Sequence, residues 1–422
     1  MNSTGFPKLT RFGAGLARLF LVVFGTLSLT PAFAAPQFVL PETHLGPTDL
    51  AVIVNDDDSL SRQIAEYYQA RRGIPRANMI HVRFPPGDAF MSSTAFLPIK
   101  AAVDRATPPE VQAYVLTWAA PYRVGCMSIT SAFAFGFDKA YCSRCAPTRA
   151  SPYFNSPSLA PYRDFHMRPT IALAGIDFEH VKALIDRGIA SDETHPAGTG
   201  YLVSTKDKNR NVRAVTYPEV IRATRGWIDM EEIHGNYIRD RRDVLFYFTG
   251  LTKVPLLDTL QFVPGALADH LTSGGGRLTN SPQMSILRWL EAGATGSYGA
   301  VIEPCNYRAK FPDPGTAIFW YLRGASLIEA YWKSVAWPGE GIFVGEPLAA
   351  PFAGSTTTIE GDEVVLRTQA LPPGIYALMG ADSAIGPYTA VSDARAIVVG
   401  PGKTALRFRH LDRSYYRLAR LR

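Results

Sequence analysis

Leu50-Ala51-Val52-Ile53-Val54, running straight into Asn55-Asp56-Asp57-Asp58, is the stretch that decides the fold class. A short unbroken apolar run of this kind predicts a strand buried on both faces, where alternation is not needed. Ser59 then opens a segment with Ile64, Tyr67 and Tyr68 at helical spacing, which Gly73-Ile74-Pro75 stops. Met79 to Phe84 reads as the next strand. Strand, helix and strand in this order make a β-α-β unit, so the expected architecture is α/β: a mainly parallel sheet with helices on both faces.

The same grammar extends along the chain. Strands are expected at Ala113 to Trp118, Gly200 to Ser204, Asp243 to Thr249 and Gly299 to Ile302. Helices are expected at Phe178 to Asp186, Tyr217 to Thr224, Pro282 to Glu291 and Ser326 to Val335. Residues 119–170 are rich in Pro, Ser, Tyr and Cys with little periodicity and read as a loop-rich insertion within an α/β domain spanning 45–352. Beyond Pro351, short alternating runs such as Glu363 to Leu366, Ile375 to Leu378 and Ala396 to Val399 are separated by Pro and Gly turns. Residues 355–422 are therefore expected to form a small antiparallel, sandwich-like β domain.

Composition sets the class. The 422 residues are 47% hydrophobic, which is enough apolar side chain for a full core and excludes disorder as the main state. Lys8, Arg11 and Arg18 precede the apolar run Leu19 to Thr30 and Ala32-Phe33-Ala34. This is the layout of a secretory signal peptide over residues 1–34, the alternative being an uncleaved anchor. No other stretch is apolar enough for a transmembrane helix, so export without a membrane anchor is expected after cleavage, to the periplasm, cell surface or outside. Cleavage removes three cations and no acid, taking the formal charge from +6 to +3. The last twenty residues hold Lys403, Arg407, Arg409, Arg413, Arg417, Arg420 and Arg422 against Asp412. That is a solvated strand face or a patch for an anionic polymer, and the mild overall charge gives no sign of nucleic-acid binding.

Four cysteines, Cys126, Cys142, Cys145 and Cys305, allow three disulfide pairings in an oxidising compartment. Cys142-Ser143-Arg144-Cys145 also has the spacing of a redox pair or half a zinc site, with Cys126 and His166 the nearest further ligands. A reactive thiol, best placed at Cys305, is the third reading. No phosphate-binding loop, nucleophile elbow, zincin motif or dinucleotide fingerprint is present.

In a doubly wound sheet, ligands bind beyond the carboxyl ends of the strands. The polar residues there are Asn55 to Asp58, Trp118, Tyr122, Asp207 with Arg210 and Arg213, Thr249-Gly250, Asp269-His270 with Thr272-Ser273-Gly274, and Glu303 with Cys305. Cys305 and His270 could form a nucleophile and base, with Asp269 or Glu303 orienting the imidazole. Alternatively, Asp269, His270 and Glu303 offer ligands for a divalent cation, and the Gly-rich turn after Thr272 offers donors for an anion. Structural roles for His270 and Cys305 are the bland reading of the same residues.

These residues also suggest relatives. Asp243 to Gly250, Phe262-Val263-Pro264-Gly265-Ala266, the segment Trp289 to Val301, Gly324 to Ala330 and Val344 to Leu348 resemble the caspase-like core of gingipain-type cysteine peptidases. A small β domain after that core is similar to the gingipain arrangement. Ala268 to Ser273, Gly293 to Gly299, Glu303-Pro304-Cys305-Asn306 and Glu329 to Ser334 resemble an uncharacterised family of exported bacterial proteins found in genomes that encode exosortase sorting systems. The resemblance implies a caspase-like fold. Gingipain-type enzymes place a His just after the Thr-Gly that ends one strand, and the Cys at the end of the next. Here Leu251 follows Thr249-Gly250, and the next strand runs into Ala268-Asp269-His270, so that dyad is absent. The expectation is an exported accessory protein on a degenerate peptidase fold that binds a ligand, an extracellular polymer or a protein partner. The rival is a thiol hydrolase using Cys305 and His270. A sorted exosortase substrate is disfavoured, because the basic tail has no apolar span before it.

Overall fold

The computed structural model describes residues 36–399 and 404–421. The expected signal segment lies outside them, as do Lys403 and Arg422. Chain order begins β1 (Gln37–Phe38), β2 (Leu50–Asn55), α1 (Ser59–Arg72), β3 (Met79–Val82), β4 (Phe90–Met91), α2 (Ser93–Ala106) and β5 (Ala113–Leu116). Then come β6 (Arg123–Val124), β7 (Met127–Ser128), α3 (Ile129–Phe135), α4 (Pro161–Phe165), β8 (Thr170–Ala172) and α5 (Phe178–Ser191). The next elements are β9 (Thr199–Ser204), α6 (Tyr217–Thr224), β10 (Asp229–His234), β11 (Val244–Thr249), β12 (Phe262–His270), α7 (Leu287–Glu291) and β13 (Gly296–Ala300). After α8 (Pro314–Leu322), α9 (Leu327–Ser334) and β14 (Gly341–Gly345), six strands close the chain: β15 (Ser355–Glu360), β16 (Glu363–Thr368), β17 (Gly374–Ala381), β18 (Thr389–Val398), β19 (Thr404–Arg409) and β20 (Tyr415–Arg420).

Every residue of β2, β5, β11, β13 and β14 is buried. Successive side chains on a strand point to opposite faces, so a strand buried at every position has both faces covered. These strands belong to a ten-stranded sheet ordered β10-β9-β11-β12-β13-β14-β8-β5-β2-β3. All neighbours in it run parallel except β13 and β14, which are antiparallel from Gly296 opposite Gly345 to Ala300 opposite Gly341.

This one junction corrects the expectation of a single crevice. It turns the sheet into two parallel halves of opposite direction. The carboxyl ends of β2, β3, β5 and β8 lie at one edge, and those of β9, β11, β12 and β13 at the other. Asn55 to Asp58 and Trp118 are thereby separated from Arg210, Thr272 and Cys305.

Local chemistry explains the helix ends. Asp58 caps α1 by accepting from the Leu60 N–H, and Gly73 ends it in the left-handed conformation at φ 66°. Asp177 and Asp313 cap α5 and α8 in the same way. Two of the runs quoted above hold buried carboxylates. Glu329 closes the capping box of α9 with Ser326 and accepts from the Leu45 N–H at 2.9 Å. Glu346 takes the Tyr68 hydroxyl at 2.7 Å and pairs with Arg72.

Residues 119–170 are less loop-like than their composition suggests, since α3 is buried over Ile129 to Ala134. The expected helix from Pro282 begins only at Leu287, because the preceding residues hold a loop: the Ile286 N–H donates to Gly275 O, and Gln283 faces Thr272 and Ser273.

Residues beyond 354 form two further sheets, β15-β16-β19 and β1-β20-β17-β18, around a separate apolar cluster that includes Leu366, Tyr376, Phe408 and Tyr416. Pairings there are antiparallel except that β1 adds to β20 in parallel, with Phe38 stacked on Phe408. The basic tail is not a bare cationic patch. Arg407 meets Glu360 and Glu363, Arg409 meets Glu363, and Arg413 meets Asp382. Charges segregated along the chain are interleaved across the strands. Among the described residues no helix is long and apolar enough to cross a membrane.

Candidate functional site

At the carboxyl edge of β9, β11, β12 and β13 the loops after three strands meet around a cleft of about 300 Å³. Asn209 and Arg210 come from the loop after β9, Leu271, Thr272 and Ser273 from that after β12, and Glu303, Cys305 and Asn306 from that after β13. Gly250, at the end of β11, permits this approach: a Cβ there would lie 1.9 Å from the Arg210 carbonyl oxygen. Arg210 is fixed on two sides, its Nε–H donating to Thr272 Oγ1 at 3.0 Å and its Nη1 to Asp207 Oδ2 at 2.8 Å. Thr272 in turn donates to Gln283 Oε1 at 2.7 Å, and the Gln283 amide donates to Ser273 Oγ at 3.0 Å. The result is a guanidinium, two hydroxyls and an amide held in place before any ligand arrives.

Behind this cleft, Asp269 and Arg213 form an ion pair at 2.5 Å with both side chains only 2% exposed. The Arg213 guanidinium also donates to Thr249 O at 2.6 Å and to Pro312 O at 3.1 Å, tying the ends of β11 and β12 to the loop before α8. Burial works against the Arg213 charge, and Asp269 outweighs it, holding Arg213 above its ordinary pKa. Asp269 is thus committed to Arg213 and does not orient His270.

His270 lies beneath Trp289, whose indole N–H donates to His270 Nδ1 at 2.9 Å. An indole nitrogen only donates, so a neutral His270 carries its proton on Nε2 and has no lone pair left for a thiol. Burial, reinforced by the Arg213 and Arg210 cations, pulls its pKa down to about 3. A group so weakly basic does not serve as a general base near neutral pH.

Cys305 carries no free thiol. Cys145 and Cys305 are joined, as are Cys126 and Cys142, and no free cysteine remains. The pairing corrects the redox and zinc readings of Cys142 and Cys145, whose sulfurs bond outward to different partners. It likewise corrects Cys305 as nucleophile, since a disulfide sulfur has no thiolate to offer. Glu303 spends its Oε1 on the Cys305 N–H at 2.9 Å. The loop carrying Cys145 is fastened a second time by the buried Lys310 and Glu340 pair at 2.7 Å, with Lys310 also donating to Arg144 O.

No family model and no curated protein matches the sequence. Among solved structures the chain is similar, at 10% identity and TM-score 0.38, to a complex of Porphyromonas gingivalis RgpB pro- and mature domains, over 88% of this chain and 99% of that one. A second likeness, described as the structure of a protease, has 10% identity and TM-score 0.34 over 87% of this chain and 98% of that one.

The cation reading of Asp269, His270 and Glu303 also fails on geometry. Among the described residues the one grouping of three ligand atoms within 4.8 Å is Cys145, Glu303 and Cys305, and two of those are the disulfide. Sequence reasoning named Arg210, Thr272, Ser273, Glu303 and Cys305, which do converge. It missed Gln283 and Asn306, whose only signal was their place in turns beside those residues, and Trp289, which occupies the imidazole. Tyr122 departs from the group, donating to Asn280 Oδ1 at 2.6 Å.

Proposed function

We propose that this chain is an exported, non-catalytic binding module on a degenerate peptidase fold, which takes a ligand or partner in the crevice around Arg210 and Thr272. One observation carries the reading: among the described residues the sulfur lining the crevice, that of Cys305, is bonded to Cys145, and His270 is capped by Trp289, while Arg210 is fixed in the lining by Thr272 and Asp207. At the positions where gingipain-type enzymes keep their dyad, this chain has Leu251 after Thr249-Gly250 and Asp269-His270 at the end of the next strand, with Asp269 paired to Arg213. Two disulfides support export to an oxidising compartment. The exosortase setting and an extracellular polymer or protein as partner are carried over from the sequence resemblance and belong to the same proposal.

The experiment is exposure of the unreduced protein to an electrophilic peptide probe, beside the His270→Ala variant. The expected result is no adduct on Cys305 in either protein. An adduct on Cys305 that disappears in His270→Ala would establish the thiol hydrolase instead.

A further inference from the structure

A groove of about 700 Å³ opens at the other carboxyl edge of the sheet, lined by the end of β3 on one side and by α2 on the other. Its helical wall is Ala95, Pro98, Ile99 and Ala102, spaced i, i+3, i+4 and i+7, which puts them on one stripe of the helix. An apolar stripe of this kind ordinarily packs against its own core. In α2 that part is taken by the buried Phe96 and Val103, whereas Ala95, Pro98 and Ala102 stay exposed and Ile99 half-buried. Val82 and Phe84, both buried, and Phe90, 59% exposed, add further apolar lining.

The facing wall is an unpaired strand edge. β3 ends the ten-stranded sheet and has a neighbour only in β2. The Val82 carbonyl accepts the Asp56 N–H at 2.9 Å, and the buried Asn55 side chain accepts from the Phe84 N–H at 3.2 Å and donates to Phe84 O at 3.0 Å. Backbone groups alternate in direction along a strand. With Val82 and Phe84 turned toward β2, the N–H and C=O groups of Met79, His81 and Arg83 therefore point away from the sheet. His81 and Arg83 both line the groove. Free backbone groups at an edge are a template for one more strand.

Side chains alternate as well. A strand added beside β3 sends every second side chain toward Val82, Phe84 and the α2 stripe, and the others to the face of His81 and Arg83, which is open to solvent. Charge narrows the occupant further. His81 is held by Asp56 at 2.7 Å and Arg83 by Asp57 at 2.8 Å, and Arg123 is turned onto the Phe90 ring at 5.2 Å. Asp88, exposed in the lining, makes no ion pair among the described residues. We propose that this groove takes an extended peptide segment of a partner protein as an added strand, apolar at alternate positions and carrying a Lys or Arg that meets Asp88. The site lies at the opposite carboxyl edge from the crevice around Arg210 and does not depend on the reading of that crevice.

Fluorescence anisotropy of the full chain tests it with labelled, capped octapeptides, each a Lys followed by Thr alternating with Val, Leu or Phe. At least one should bind in the micromolar range. N-methylation probes the strand pairing: methylating the N–H groups of one alternate set of residues should abolish binding, and methylating the other set should leave it intact. Ala102→Glu, which places a carboxylate on the apolar stripe, should weaken binding at least about tenfold. Ala102 is exposed, so an unchanged melting temperature separates loss of binding from loss of fold. Replacing the peptide's Lys by Glu should weaken binding by about fivefold, and Asp88→Lys should restore it. No binding by any of the octapeptides overturns the inference, as does binding that both methylated sets retain or that Ala102→Glu leaves intact. A dimer in light scattering that Ala102→Glu dissolves would give the groove to a second copy of this chain and overturn the partner peptide.

Discussion

Asp269 and His270 are neighbours in sequence that the fold assigns to separate tasks. Asp269 faces Arg213 and His270 faces Trp289. If Asp269 is structural, Asp269→Asn leaves the Arg213 charge buried and unpaired, which should cost about 3 to 5 kcal/mol in urea unfolding. A loss below about 1 kcal/mol would mean that the pair does little for stability. His270 makes a pH-dependent prediction. Its folded pKa of about 3 lies below the ordinary 6.5, so the unfolded chain takes up the proton first as pH falls. The stability it contributes is complete above about pH 6.5 and is lost progressively toward about pH 3, by roughly 4 kcal/mol at the acid end. His270→Asn should flatten that acid limb in a pH series of unfolding free energies, and an unchanged slope would contradict the burial argument. Both residues were legible in the sequence as polar groups ending a strand. Their partners were not, because Arg213 is 56 residues upstream of Asp269 and nothing local marks it.

At the scale of elements, a strand buried on both faces announces itself. The apolar runs at β2 and β11 were readable for that reason, and α6 was readable from its apolar period and its Pro near the start. β14 was not. Gly341–Gly345 is five residues long with a glycine at each end, and its antiparallel pairing with β13 is a property of register that composition does not carry. The disulfides make the element-scale prediction. Cys145 and Cys305 are 160 residues apart, and Cys126 and Cys142 only 16. In the chain-entropy account, replacing the long-range pair by Ala should cost about 5 kcal/mol and the short-range pair about 3. Thermal melts of the two double variants check the order, and a larger loss from the short-range pair would show that the entropy of the unfolded chain does not govern it.

At the scale of the whole molecule, the sequence showed positive charge concentrated in the last twenty residues and chemistry gathered around Cys305. Folding redistributes both. Acids of β15 and β16 neutralise much of the tail, while Arg210, Thr272, Glu303 and Cys305, carried on three separate loops, come together at one edge of the sheet. That edge exists as a separate face because the sheet reverses direction between β13 and β14. The central claim is that this face binds and does not catalyse through a thiol. The most direct test is the mass of the unreduced protein after alkylation under denaturing conditions, with cross-linked peptides mapped. The account predicts no alkyl group added and a Cys145 to Cys305 cross-link; an alkyl group on Cys305 would contradict it.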